Sequence, residues 1–135
     1  MLYLGTETNK MKKVISTTNA PAAIGPYSQA ILSNNTLYCS GQIAINPATG
    51  NLVMDNITIE TAQVMQNIAA VLKAAEMDFS NVVKCSIFMK DMNDYAAINE
   101  VYAKHFKDNP PAREAVQVSV LPKNVNVEIS VIAVK

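Results

Sequence analysis

Residues 110–134 read Pro110-Pro111-Ala112-Arg113-Glu114-Ala115-Val116-Gln117-Val118-Ser119-Val120-Leu121-Pro122-Lys123-Asn124-Val125-Asn126-Val127-Glu128-Ile129-Ser130-Val131-Ile132-Ala133-Val134. Two alternating runs flank a Pro122-Lys123-Asn124 turn, and this pattern predicts a half-buried β-hairpin. One parity carries Val116, Val118 and Val120, answered across the turn by Val125, Val127, Ile129, Val131 and Ala133. The other carries Arg113, Ala115, Gln117 and Ser119, with Asn126, Glu128 and Ser130 beyond the turn. Pairing across a turn centred on Pro122 and Lys123 sets Glu128 near Gln117. Arg113 then opens the same face roughly 13 Å away, at about 3.3 Å per strand residue. An arginine and a glutamate on one sheet face suit a site for a small acid.

Working outward, Asn109-Pro110-Pro111 stops whatever helix precedes the hairpin. That helix is predicted from a cap at Asn93 or Asp94, with Tyr95, Ile98, Tyr102 and Phe106 as its core stripe. Before it, Val83 to Lys90 alternates Cys85, Ile87 and Met89 against Lys84, Ser86, Phe88 and Lys90, which predicts a strand. Thr58 to about Met77 gives the strongest helical period, with Val64, Met65, Ile68, Val71, Leu72 and Ala75 on one stripe. Glu60, Gln63, Gln66, Asn67 and Lys73 fall on its other faces. Ile43 to Asn51 reads as a loop with turns at Asn46-Pro47 and Thr49-Gly50. Tyr27 to Leu32 and Thr36 to Ser40 flank Ser33-Asn34-Asn35 as a second hairpin, and Val14 to Ser16 suits a short first strand. The order β-β-β-α-β-α-β-β predicts an α+β domain with both helices on one face of a mixed sheet. The other sheet face then needs a cover, and another copy of the chain, in a closed homo-oligomer, supplies one.

Composition narrows the function. The chain has 135 residues, half of them apolar, and a formal net charge of zero. It is long enough for one domain with a real core. Neutrality, with Lys10, Lys12 and Lys13 as the only basic cluster, argues against a nucleic-acid surface, which needs several phosphate-neutralising cations. Cys39 and Cys85 lie in apolar strand runs without CxxC spacing and read as small buried hydrophobes. One histidine and two scattered cysteines do not make a tetrahedral metal site, so no metal and no organic cofactor are expected. No apolar run reaches a membrane span of about 18 residues, and no signal-peptide pattern is evident; a cytoplasmic address is expected. Met11 suits an alternative start, which divides the chain into an extension over 1–11 and a single domain over 12–135.

Arg113 offers a planar fork that grips a carboxylate through two charge-assisted hydrogen bonds; its plain alternative is a surface arginine lying along the sheet. Glu128 stands in a Val/Ile-rich strand, where charge is rare. In a half-dry cleft it can hold or activate water; elsewhere it is an exposed strand residue or half of a salt bridge. Ser40 and Gly41 offer a hydroxyl and a bare backbone N–H, or simply a turn. Tyr27 and Phe88 suit pocket walls or core, and Asn99 lies one helical turn beyond Tyr95. His105 suits a helix end interacting with the dipole. No Ser-His-Asp or Cys-His set, GxGxxG or GxxxxGK[ST] pattern occurs, leaving acid/base or electrostatic chemistry on a small carboxylate-bearing molecule.

The chain resembles the reactive intermediate deaminase family (RidA, also called YjgF, within the endoribonuclease L-PSP superfamily) from about Lys12 to Lys135. The stretches that carry the likeness are Asn19 to Gln29, Ser40-Gly41-Gln42-Ile43, Asn46-Pro47-Ala48-Thr49-Gly50, Lys90 to Tyr95, and Pro111-Ala112-Arg113 with Leu121-Pro122 and Val127-Glu128-Ile129. The resemblance implies a chorismate-mutase-like fold with a six-stranded sheet, and a homotrimer with clefts between subunits. It also implies hydrolysis of enamines and imines such as 2-aminoacrylate, 2-iminobutanoate and 2-iminopropanoate to 2-ketoacids and ammonia. By position, Arg113 would clamp the substrate carboxylate, Glu128 would hold the attacking water, Ser40 and Gly41 would border the imine, and Tyr27, Asn99 and Phe88 would line the cleft. Alternatives are a non-enzymatic 2-ketoacid binder that regulates a partner, and a translation-inhibiting ribonuclease. Two departures stand out: Ala115, where many members carry cysteine, and Glu76, where a helix-ending glycine is common.

Overall fold

The structure, a computed structural model, describes residues 11–135; the extension expected over 1–11 therefore lies, Met11 apart, outside the described residues. Six strands form one mixed sheet: β1 (Lys13–Ile15), β2 (Ala30–Ser33), β3 (Thr36–Gln42), β4 (Val82–Met89), β5 (Ala112–Gln117) and β6 (Val127–Val134), in the order β1-β2-β3-β6-β4-β5. Helices α1 (Ile57–Ala74) and α2 (Tyr95–Ala103) complete the predicted order.

The C-terminal hairpin does not form. β5 pairs in parallel with β4, and β6 lies on β4's other side, antiparallel both to it and to β3. Residues 118–126 loop over the end of β4 and bond to it: Val118 N donates to Met89 O at 2.9 Å, and Lys90 N donates to Asn126 O at 3.0 Å. Alternation dictates which residues share a face but not which strand is the neighbour. A buried central strand such as β4 needs hydrogen-bond partners on both edges, and that need splits the two runs.

The second hairpin does form, with Asn34 at φ 55° in its turn, although β2 begins at Ala30 rather than Tyr27. Helix α1 starts where Asn56 Oδ1 accepts from Ile59 N at 2.8 Å. It ends in a Schellman motif, with Glu76 N donating to Lys73 O and Met77 N to Leu72 O, both at 2.9 Å. Glu76 holds the left-handed φ of 60° that this motif requires. Val64, Met65, Ile68, Val71 and Leu72 of α1 are almost fully buried with Ile87, Met89, Ile129 and Val131 from the sheet. Each such side chain contributes about 1.5–3 kcal/mol. α2 stops at Ala103, short of the prolines, and His105 leaves the helix to stack on Phe79 at 4.6 Å. Its core stripe holds for Ile98 and Tyr102, but Tyr95 is exposed.

Both helices lie on one sheet face. The opposite face carries Tyr38, Ile132 and Lys84 in one row, Ser130, Ser86 and Glu114 in the next, and Glu128, Phe88 and Val116 in a third. Lys84 Nζ lies 2.9 Å from Glu114, whose carboxylate also accepts from the Ser86 hydroxyl. Tyr38 and Val116 remain exposed there. Cys39 and Cys85 are free and buried, as expected.

Candidate functional site

The predicted site residues separate into two groups. The first surrounds a cavity of about 730 Å³ at the C-terminal end of β3. Its walls include Tyr27, Ser40, Gly41 and Glu128, with Pro21, Ile24, Ile43, Ile45 and Pro47 supplying apolar surface and Lys123 a cation. A register shift in β3 between Cys39 and Gln42 opens the strand at Ser40-Gly41. Gly41 leaves room for the Glu128 carboxylate: a Cβ would lie 2.8 Å from Glu128 Cδ and displace that side chain. The Ser40 hydroxyl donates to Ser28 O at 2.6 Å, so its lone pairs, not its proton, face any further partner. Burial pushes the Glu128 carboxyl above its ordinary value. Phe88 pairs with Glu128 in register on the adjacent strand.

The second group lies across the sheet. Arg113 pairs with Cys85 on the helix-facing side and reaches α2. Its Nη1 donates to Asn99 Oδ1 at 2.6 Å and its Nη2 to Tyr95 Oη at 2.7 Å. The guanidinium carbon sits 4.8 Å from the Tyr102 ring centroid and 5.6 Å from that of Tyr95. Residues 95, 99 and 102 recur at helical spacing, so one face of α2 cradles the arginine. Burial, with the Cys85 thiol beside it, pushes the Tyr102 phenol well up, and its hydroxyl has no hydrogen-bond partner among the described residues. Burial likewise raises the Cys85 thiol, and it pushes Cys39 up to about 12. Neither cysteine is a ready nucleophile.

Arg113 and Glu128 therefore do not share a face within one chain, contrary to the hairpin reading. Arg113 is half-buried, and its hydrogen-bond partners are both neutral. Among the described residues it has no carboxylate within salt-bridge distance. A guanidinium arranged in this way, with N–H groups to spare, is suited to an external anion.

Three buried polar residues escaped sequence reasoning, and each pins a segment at the cavity. Gln29 accepts from Thr17 N at 2.7 Å and donates to Pro21 O at 2.7 Å. Asn67 donates to Ile43 O and Ile45 O, both at 3.0 Å. Glu60 is fully buried and accepts from Asn126 N and Nδ2, both at 2.8 Å, two residues before Glu128. Glu60 and Asn67 fall off the apolar stripe of α1, and a polar residue there ordinarily faces water. Only the tertiary position of the loops reveals their partners. No group of three or more potential metal ligands occurs among the described residues, and no helix there is long and apolar enough to cross a membrane.

The family model for endoribonuclease L-PSP matches residues 17–135. The chain is 50% identical over 125 residues to the 2-iminobutanoate/2-iminopropanoate deaminase of Capra hircus, covering 93% of this chain and 91% of that one. It is 51% identical over 121 residues to a protein of Lactococcus lactis named as a regulator, AldR, covering 90% of this chain and 96% of that one. The solved structure of YyfA from Yersinia pestis, a conserved Rid family protein, superposes with a TM-score of 0.88 at 52% identity, over 92% of this chain and 99% of that one. An α+β sheet with two helices on one face, the Ser40-Gly41 opening beside Glu128, and a family match reaching through Arg113 to the end of the chain agree: this chain belongs to the endoribonuclease L-PSP family, the Rid/YjgF proteins.

Proposed function

We propose that this protein hydrolyses the imines 2-iminobutanoate and 2-iminopropanoate, reached from enamines such as 2-aminoacrylate, to 2-ketoacids and ammonia. It acts as a homotrimer whose clefts set Arg113 and Asn99 of one subunit opposite Tyr27, Ser40, Gly41 and Glu128 of another. The observation that carries this reading is the Arg113 guanidinium, held by Asn99 and Tyr95 without an acidic partner among the described residues. The carboxyl suited to handle water lies on the sheet's other face, so a complete site needs a second copy. The uncovered face, with Tyr38, Ile132, Phe88 and Val116 among small polar residues, supports such an assembly.

The chemistry is balanced with these groups alone. Arg113 binds the substrate carboxylate and orients the C=N carbon. Water adds to that carbon, and its proton passes through the Glu128 carboxylate to the imine nitrogen, giving the carbinolamine. Glu128 then takes the carbinolamine hydroxyl proton and delivers it to the amine as the C=O bond forms and ammonia leaves. The raised Glu128 carboxyl is better matched to this shuttle than an ordinary glutamate.

The test is to generate 2-iminobutanoate with a threonine dehydratase and follow release of 2-oxobutanoate. The protein accelerates release, and Arg113→Ala abolishes the acceleration; no acceleration by the wild-type protein overturns the reading. The name of the Lactococcus relative favours one second reading, a 2-ketoacid binder acting on a partner. Calorimetric binding of 2-oxobutanoate without turnover would select it.

A further inference from the structure

The second group holds a residue that the reaction above does not use. Tyr95 opens α2 and is 38% exposed, so packing there does not demand a tyrosine rather than a phenylalanine. Its hydroxyl nevertheless accepts from Arg113 Nη2 at 2.7 Å. Arg113 Nη1 is bound separately, to Asn99 Oδ1 at 2.6 Å, and the guanidinium lies 4.8 Å from the Tyr102 ring centroid. Tyr102 fixes the plane of the fork but not its rotation within that plane. A single bond to Asn99 would leave the fork free to pivot about it. A second bond on the other terminal nitrogen removes that freedom. The Nε–H and one N–H on each terminal nitrogen stay available, enough for a bidentate carboxylate.

We propose that Tyr95 is a positioning residue for the Arg113 clamp, its hydroxyl setting the in-plane rotation at which the guanidinium meets a carboxylate. This rests on the reading of Arg113 as the carboxylate clamp. The hydrogens on Nη2 point in divergent directions, so the Tyr95 oxygen and a carboxylate oxygen bound to the same nitrogen stand apart. Tyr95 therefore acts through Arg113 without touching substrate. The effect falls on binding of the carboxylate, which is shared by the ground and transition states, and so on KM.

The test uses Tyr95→Phe in the full chain, which keeps the ring and deletes the hydroxyl. Calorimetry with 2-oxobutanoate and steady-state kinetics with 2-iminobutanoate are expected to show Kd and KM weakened about three- to tenfold, the net worth of one typical hydrogen bond. The kcat stays within about twofold and the melting temperature is unchanged. In an Arg113→Ala background the same substitution has no further effect on Kd, because the group it positions is gone. Unchanged Kd and KM in Tyr95→Phe overturn the proposal, as does an equal further loss in the Arg113→Ala background. If Arg113→Ala itself leaves Kd unchanged, the clamp reading fails instead, whatever Tyr95 does.

Discussion

Arg113 and Glu128 project from opposite faces of one sheet. In register, Arg113 sits beside Cys85, which pairs with Val131, whereas Glu128 sits beside Phe88, which pairs with Val116. The two charged residues that dominate the C-terminal stretch are thus separated by strand β4 and by the thickness of the sheet. The proposed reaction, which needs both, draws them from different chains.

Burial raises the Glu128 carboxyl above the ordinary 4.5. The folded chain therefore holds this proton more tightly than the unfolded chain. The stability so gained is full below the unfolded value and is lost as pH rises through the raised folded value. Glu128→Gln should accordingly melt higher than wild type at about pH 8 and no higher at about pH 4, the advantage growing between them. Thermal melts across that range check this; a wild type more stable than the variant at the upper end contradicts it.

Gly41→Ala places a Cβ 2.8 Å from Glu128 Cδ. The clash is with the end of a flexible side chain, so the fold survives and Glu128 swings aside. The expected result is a kcat about 100-fold lower, the cost of misplacing a reacting group by about 1 Å, with an unchanged melting temperature. Retained kcat would show that Glu128 need not stand against Gly41.

Much of this was legible in the sequence because it is local. The α1 period, the Asn34 turn, the buried cysteines and the order of elements all follow from side chains a few residues apart. The partner of β5 was not legible. Val116, Val118 and Val120 alternate equally well beside β4 or β6, and the choice is made by the edge hydrogen bonds of β4, some 30 residues earlier in the chain. By sequence, Tyr27, Ser40, Gly41, Asn99, Arg113 and Glu128 read as one cleft; the first three line a cavity with Glu128, whereas Asn99 holds Arg113 on the other face, a division that required the true strand order. Glu60, Gln29 and Asn67 were missed for the same reason, since their partners are loop backbones distant in sequence.

Glu76 occupies a left-handed C-terminal position at φ 60°, where glycine carries no Cβ penalty. Its ion pair with Lys135, at 3.6 Å on an exposed surface, offsets little of that strain. Glu76→Gly should stabilise the fold by about 0.5–1 kcal/mol, read as a higher urea midpoint with an unchanged slope. A lower midpoint would mean that the pair matters more than the backbone.

The division of the site between chains is tested most directly by complementation. Glu128→Gln is expected to lose at least about 100-fold in kcat, and Arg113→Ala at least about 100-fold in kcat/KM. On the proposed reading, when the two inactive chains are unfolded together in equal amounts and refolded as mixed trimers, each cleft draws its arginine and its glutamate from different subunits. A cleft with both intact arises in about one case in four in a cyclic assembly. About a quarter of wild-type activity should therefore return in the mixture, and none in either variant refolded alone. No recovery in mixed trimers would contradict the shared site.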